Sequence, residues 1–347
     1  MNDPTSLRPT AMQQEIAEIP AAVSRLLTAS EASIDRAAAL LRQRDPAVIG
    51  TIARGSSDHA AAYLKYAIEL TAGVPVASLG PSIASIYGAP MHFERGACLA
   101  ISQSGKSPDI VAMAKTVRSG GGAVVALTNT ATSPLGAASD LVVDIAAGPE
   151  LSVAATKTFV ASVVAGLAIL AKWQDDAKLS AALAALPGQL ERAVACDWSD
   201  LVAALDGTDS LFILGRGPSH AIANEAALKF KETCGMHAEA YSAAEVLHGP
   251  VSIVREGFKV IALIARDAAA ASMADTVERM VAQGAEVFAT SDRAGSARPL
   301  PFAATGHPLT DPLVLIAAFY SFIERLARHR GLDPDAPPNL RKVTETL

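Results

Sequence analysis

The segment PAVIGTIARGSSDHAAAYLKY (46–66) returns later in the chain as DSLFILGRGPSHAIANEAALKF (209–230). Arg54-Gly55 and Arg216-Gly217 are 162 residues apart, and CLAIS (98–102) with IALIA (261–265) and AVVALTN (123–129) with AEVFATS (285–291) repeat at 162 or 163. Registers that agree to within one residue require one supersecondary unit used twice, which excludes most folds open to 347 residues. Inside each copy, short apolar runs alternate with helical stretches, the pattern of a parallel sheet buried on both faces. In the first copy the pattern predicts strands within 47–57, 74–80, 97–105, 123–130 and 140–145. Helices are predicted at 58–73, closed by Gly73, at 107–121 and at 154–173, and residues 12–45 read as two helices meeting near Pro20. The expected architecture is a tandem pair of α/β domains at 46–175 and 201–330. They are preceded by a helical segment (1–45), joined by a Pro-containing bridge with its own helix (176–200), and followed by a polar, Pro-rich tail (331–347).

Composition narrows the function classes. Half of the residues are hydrophobic and 18% charged, and mean hydropathy is +0.29, as in a chain with large cores. The net charge of −6, with basic residues scattered, argues against a nucleic-acid partner. Cys98, Cys196 and Cys234 lack CxxC spacing, so a reducing compartment is expected. The start MNDPTSLRPT has no signal-peptide pattern, and the apolar run TFVASVVAGLAILAKW (158–173) is short for a bilayer. The expectation is a cytoplasmic protein without a membrane span.

The stretch AISQSGKSPD (100–109) ends an apolar strand in Gly-Lys-Ser. A nucleotide-binding P-loop would need glycine at position 100, where this chain has Ala100. What remains is Ser102, Gln103, Ser104 and Ser107 between a strand end and a helix start. That is a set of neutral donors for one phosphate monoester, with the helix N-terminus behind it. The competing reading is an ordinary capping turn. ARGSSDHA (53–60) forms a second such turn, in which Ser56 or Ser57 adds donors or merely caps. GRGPSH (215–220) lacks the third glycine of a dinucleotide loop, so no NAD cofactor is expected.

Glu225, Lys229 and Glu232 recur at i, i+4 and i+7 in NEAALKFKETCG (224–235), on one helix face. On most helices such a set is a solvated ion-pair row. Here it follows a glycine turn and precedes a segment rich in His237, Glu239, Tyr241, Glu245 and His248. No metal-binding spacing is present, so no metal is expected. Carboxylate, histidine and lysine without metal suit proton transfer between adjacent carbons of an open-chain phosphosugar.

With these motifs in view, the chain resembles the sugar isomerase (SIS) domain family, in particular the isomerase half of glucosamine-6-phosphate synthase. The resemblance rests on ARGSS, ISQSGKSPD, GPELSVAATKTF (148–159), LGRGPSHAIANEAALKFKE (214–232), HAEAYSAAEVLHGP (237–250) and NLRKVT (339–344). It implies flavodoxin-like domains and a phosphate held by Ser57, Ser102, Gln103, Ser104 and Ser107, with Ser56, Ala154 and Arg341 as further contacts. It implies Glu232 as the base between C1 and C2, His248 as the ring-opening group, Lys229 beside the substrate oxygens, and Glu225 as its companion. Lys342 would reach the carbonyl end, with a Schiff base to the ketose as one option. His248 would come from the partner in a homodimer. The chain departs from the pattern in three places: no nucleophilic Cys follows Met1, Lys106 lies in the SQSGKS loop, and Ala155 replaces a serine of the synthase.

The resemblance points to glucosamine 6-phosphate deamination, giving fructose 6-phosphate and ammonia. The alternatives are another phosphosugar isomerase, deaminase or deglycase (for galactosamine 6-phosphate or a glycated-amine sugar phosphate), an isomerase subunit borrowing ammonia from a separate glutaminase, and a non-catalytic sensor.

Overall fold

Most apolar runs of the repeat become parallel strands because a helical segment follows and carries the chain back along one face. The computed structural model describes residues 8–342. It opens with α1 (Ala11–Ala17), α2 (Ile19–Ala29) and α3 (Glu31–Arg44). The first unit then runs β1 (Val48–Ile52), α4 (Ser56–Ala72), β2 (Val76–Ser78), α5 (Ser82–Ser85), β3 (Gly96–Ile101), α6 (Pro108–Ser119), β4 (Ala123–Thr128), α7 (Pro134–Ala137), β5 (Leu141–Asp144) and α8 (Lys157–Trp173). After α9 (Ala177–Val194) and α10 (Ser199–Ala204), the second runs β6 (Ser210–Gly215), α11 (Pro218–Cys234), β7 (His237–Ser242), β8 (Lys259–Ala262), α12 (Ala270–Ala282), β9 (Glu286–Ala289), β10 (Arg298–Pro299) and α13 (Asp311–His329).

Both sheets are five-stranded and parallel, in the orders β2-β1-β3-β4-β5 and β7-β6-β8-β9-β10. This is the flavodoxin-like order twice, with its switch point between the first and third strands of each unit. The pair Ile52–Ala100 recurs as Leu214–Ala262, which sets β3 against β8 at an offset of 162. That is one residue less than the match of CLAIS with IALIA suggests. The turns after β1 and β6 also agree: Gly55 sits at φ 56°, ψ −134° and Gly217 at φ 60°, ψ −137°. This positive-φ conformation favours glycine in both copies.

Residues 12–45 form three helices rather than two. Pro20 does lie in the first turn of α2, but a second break falls at Ser30. Ser30 donates its hydroxyl to the Asp144 carbonyl (2.6 Å) and its own carbonyl accepts from Ser33 (2.8 Å), polar bonds that compete with helix continuation. The apolar segment 158–173 lies in α8, whose residues are buried except Lys172. Its run therefore reflects burial on all sides. α9 packs Leu179, Leu183, Leu186 and Leu190 inward against α2 and α13. One apolar core passes through both units, and α4 packs against α11 across it. No helix among the described residues is long and apolar enough to cross a membrane.

Candidate active site

A cavity of about 360 Å³ opens at the carboxyl ends of β1 and β3. Its floor is the Ser102–Ser107 loop. Ala100 is fully buried inside β3, so the start of a would-be P-loop lies within the strand. The loop is pinned from below: Asn129 and Thr128 donate to the Gln103 carbonyl (3.1 and 3.3 Å), and Leu135 donates to the Gly105 carbonyl (3.0 Å). Gly105 has φ 63°, and a side chain there would overlap the Ser133 hydroxyl, so the loop can lie this low only with glycine. The Gly105 and Lys106 amides donate to the Ser102 and Ser104 hydroxyl oxygens (3.2 and 3.3 Å), which leaves both hydroxyl hydrogens available to a ligand. α6 starts at Ser107 and α4 at Gly55, and neither start has a side-chain cap. Two helix N-termini thus meet one cavity with positive dipole ends suited to an anion; in α6, Pro108 has no N–H and the Ile110 amide donates to Asp109 Oδ1 (2.8 Å).

The opposite wall comes from elsewhere in the chain. α11, from the second unit, contributes Glu232, and residues 340–342 contribute Arg341 and Lys342. Of the residues expected from sequence, Ser56, Ser57, Ser102, Gln103, Ser104, Ser107, Glu232, Arg341 and Lys342 line the cavity. Ala154 does not: it is fully buried, and Ala155 holds the wall position instead. Lys229 and Glu225 lie buried behind Glu232. His248 is exposed on the 3₁₀ turn Glu245–His248 and is not in the wall of its own chain's cavity. The tail motif is only partly placed, since residues 343–347 lie outside the described residues.

The charges behind Glu232 form a closed network. The Lys229 ammonium donates to Glu232 Oε2 (2.5 Å) and Ser56 Oγ (3.0 Å) and pairs with Glu225 Oε1 (3.2 Å). Glu225 also accepts from His59 Nδ1 at Oε2 (2.8 Å) and from the Tyr320 hydroxyl at Oε1 (3.2 Å). Burial alone would push the Glu225 carboxyl up, but the Lys229 charge and the His59 and Ser56 donors bring it below its ordinary value. Burial likewise works against the Lys229 ammonium, and the two carboxylates raise it above its ordinary value. Tyr320 is held well above its ordinary value by burial and the Glu225 charge, so it remains a neutral donor. The network joins the halves: Ser56 and His59 belong to α4, Glu225, Lys229 and Glu232 to α11.

Four residues of the site escaped the sequence reading. Glu150 is a buried anchor: Oε1 accepts the amides of Thr156 (3.1 Å) and Thr158 (3.0 Å), and Oε2 accepts the Thr158 hydroxyl (2.6 Å) and the Lys342 ammonium (3.1 Å). These bonds hold Thr156 in a non-helical cap conformation (φ −135°, ψ −74°), so α8 begins at Lys157, later than the predicted 154. Thr158 lines the cavity beside Glu150. Arg54 lines the cavity and pairs with the buried Asp109 (2.9 Å). Glu150 and Thr158 stand in GPELSVAATKTF and Arg54 in ARGSS, so the motifs contained them. For His59, only a histidine between Asp58 and Ala60 on the helix after the turn was available as a signal. No group of three His, Cys, Asp or Glu residues suited to a metal occurs among the described residues.

Comparison with known proteins sets this geometry in context. The family model described as SIS domain matches residues 31–172 and 205–298. A glutamine–fructose-6-phosphate aminotransferase (isomerizing) from Symbiobacterium thermophilum is 31% identical over 354 residues, covering 96% of this chain and 57% of that protein. The chain thus spans little more than half the length of the curated relatives it matches. A solved structure from Silicibacter pomeroyi DSS-3, described as a candidate phosphosugar isomerase, is 57% identical with a TM-score of 0.92, over 94% of this chain and all of that one. The C-terminal domain of glucosamine-fructose-6-phosphate aminotransferase from Francisella tularensis is 25% identical with a TM-score of 0.85, over 96% of this chain and 99% of that one.

Proposed function

The chain belongs to the SIS domain family, and on that premise we propose that it acts on a phosphosugar by moving a proton between C1 and C2. Glucosamine 6-phosphate is the proposed substrate, with water consumed and fructose 6-phosphate and ammonia released. The observation that carries this reading is a single cavity with a neutral phosphate cradle on one wall and a carboxylate, Glu232, on the other.

The ester takes its hydrogen bonds from Ser57, Ser102, Ser104, Ser107 and the Gln103 amide, in front of two helix N-termini. His248 opens the ring. As it lies outside its own chain's cavity, the reading requires it from a second copy of the chain. In the open aldehyde, Glu232 removes the C2 proton while the C1 oxygen takes up a proton, giving an enolamine; Glu232 then returns its proton at C1 as the nitrogen gives one up, which leaves an imine at C2. Water adds to the imine and ammonia departs, so C2 becomes the ketone carbon. Lys229 stays an ammonium throughout and stabilises charge near the substrate oxygens through Glu232. Lys342 closes the carbonyl end. The relatives' named activity, an isomerising aminotransfer to fructose 6-phosphate, supports this class of proton transfer. A second reading, favoured by those same names, is isomerisation with ammonia supplied from elsewhere, which runs through the same Glu232 step in reverse.

The test follows two signals. Ammonia release is measured across a panel of 2-amino-sugar phosphates, with and without glutamine. Solvent hydrogen exchange at C1 and C2 is measured by NMR for the wild type and Glu232→Gln. The expected result is exchange lost in Glu232→Gln with phosphosugar binding retained. Full exchange in that variant, or no exchange in the wild type on any phosphosugar, overturns the proposal.

A further inference from the structure

The two helices that pack at the centre cross reciprocally. α11 carries Glu232 to the first cavity, and α4 carries Leu70 to a second cleft of about 650 Å³. The two are the same site at an offset of 162. Arg216, Gly217 and Pro218 stand where Arg54, Gly55 and Ser56 stand, and Leu70 stands for Glu232. Residues 307–309 precede α13 as residues 153–155 precede α8.

The walls match and the chemistry does not. The strand pairing that sets β3 against β8 puts Ile264, Ala265, Arg266 and Ala269 at the places of Ser102, Gln103, Ser104 and Ser107. All four neutral phosphate donors are gone. Arg266 offers no replacement, because its guanidinium is bound to the Asp311 carboxylate and lies 4.1 Å over the Phe302 ring. In the place of Gly105 stands Asp267, a carboxylate in the wall, and Asp176 adds a second. Arg216 donates to the Ser272 hydroxyl (3.0 Å). His307 is held below its ordinary value by burial, so it adds no positive charge at neutral pH. Behind the wall, Ser219, the counterpart of Ser57, is 1% exposed, and its hydroxyl has no partner among the described residues. Thr71 and Ser242 add two hydroxyls, and Tyr66, Pro218, Pro308, Leu309 and Leu70, which is 68% exposed, add apolar surface. Leu70, Pro308 and Leu309 thus give the cleft an apolar side next to a few polar groups, the usual make-up of a small-molecule site.

We propose that this second cleft is a binding site without chemistry, selective for a small phosphate-free amine whose ammonium meets Asp267 and whose apolar body lies on Leu70 and Pro308. A phosphate dianion would find two carboxylates against the one Arg216 guanidinium, and none of the four donors of the first site's serine loop. With leucine at the position of Glu232, the cleft also lacks that proton carrier. The inference is independent of the reaction assigned to the first cavity, because it rests on how the two clefts differ.

Three probes with one body separate charge from shape: cyclohexylamine, cyclohexanol and cyclohexyl phosphate, titrated calorimetrically into the full chain. The amine should bind most tightly. Asp267→Asn still offers an oxygen to the Ala269 amide that now donates to Asp267 (2.8 Å), so the turn is kept. That variant should weaken the amine about tenfold, the loss of a charge-assisted hydrogen bond, and leave cyclohexanol unchanged. Glu232→Gln should change neither. A cyclohexylamine soak of the unaltered protein locates the amine without any variant. The proposal fails if cyclohexanol binds as well as the amine, if the phosphate ester binds best in this cleft, if the amine is lost in Glu232→Gln, or if a second copy of the chain covers Leu70.

Discussion

His59 sets the sharpest test of the buried network. Its Nδ1–H donates to Glu225 Oε2 (2.8 Å), and Glu225 is fully buried. His59 is the ring donor to that oxygen, whereas Oε1 keeps Lys229 and Tyr320, and the Ser56 hydroxyl gives Glu225 one further donor. His59→Ala therefore leaves one charged oxygen buried and short of a partner, at a cost of about 1–3 kcal/mol. The Lys229 ammonium, already divided between Glu225, Glu232 and Ser56, is then drawn toward Glu225. Glu232 loses part of its positioning, and about 1.4 kcal/mol of transition-state stabilisation, a tenfold fall in kcat, is the expected consequence. The phosphate loop makes no contact with this bond, so KM for the phosphosugar should hold. His59→Asn is the control, since its amide nitrogen falls near the place of Nδ1 and should recover most of both losses. Urea unfolding midpoints and steady-state kinetics on the wild type and the two variants provide the measurements. If His59→Ala and His59→Asn behave alike, or if His59→Ala lowers KM affinity instead of kcat, the positioning argument is wrong.

Two further outcomes follow from other groups. Lys342→Met should lower turnover about a hundredfold while costing under about 1 kcal/mol of stability, because Glu150 keeps the Thr156 amide and the amide and hydroxyl of Thr158; equal losses in both assays would make the tail a structural strap. His220, like His307, is held by burial below its ordinary value of 6.5, so the unfolded chain takes up those protons first. Stability should therefore fall as pH drops through about 6.5, and His220→Gln should flatten that fall in urea midpoints measured between about pH 7.5 and 5.5; an unchanged slope refutes it.

Much of the fold was legible because its signals are local. Apolar runs closed by Arg-Gly turns mark β1 and β6, and both turns demand the same left-handed glycine, so the repeat survives in sequence. The phosphate loop was legible because serines cluster where one strand stops. The break at Ser30 was hidden because its cause, the Asp144 carbonyl, lies 114 positions away. His59 and Glu225 are 166 apart, and nothing near either one announces the other. Ala154 and Ala155 differ only in which way an irregular cap turns each side chain, which composition does not encode. The register of β8 was off by one because a run of Ile, Ala and Leu aligns almost equally well either way.

The crossing of α4 and α11 has a consequence for how this chain could be divided. Cut between α9 and β6, the N-terminal piece would keep the serine loop without Glu232, and the C-terminal piece would keep Glu232 with no anion cradle. Each fragment would inherit half of both clefts and all of neither. Mixing separately made pieces should therefore restore activity only as far as the two helices find each other, so their affinity would set the ceiling on any split form of the protein.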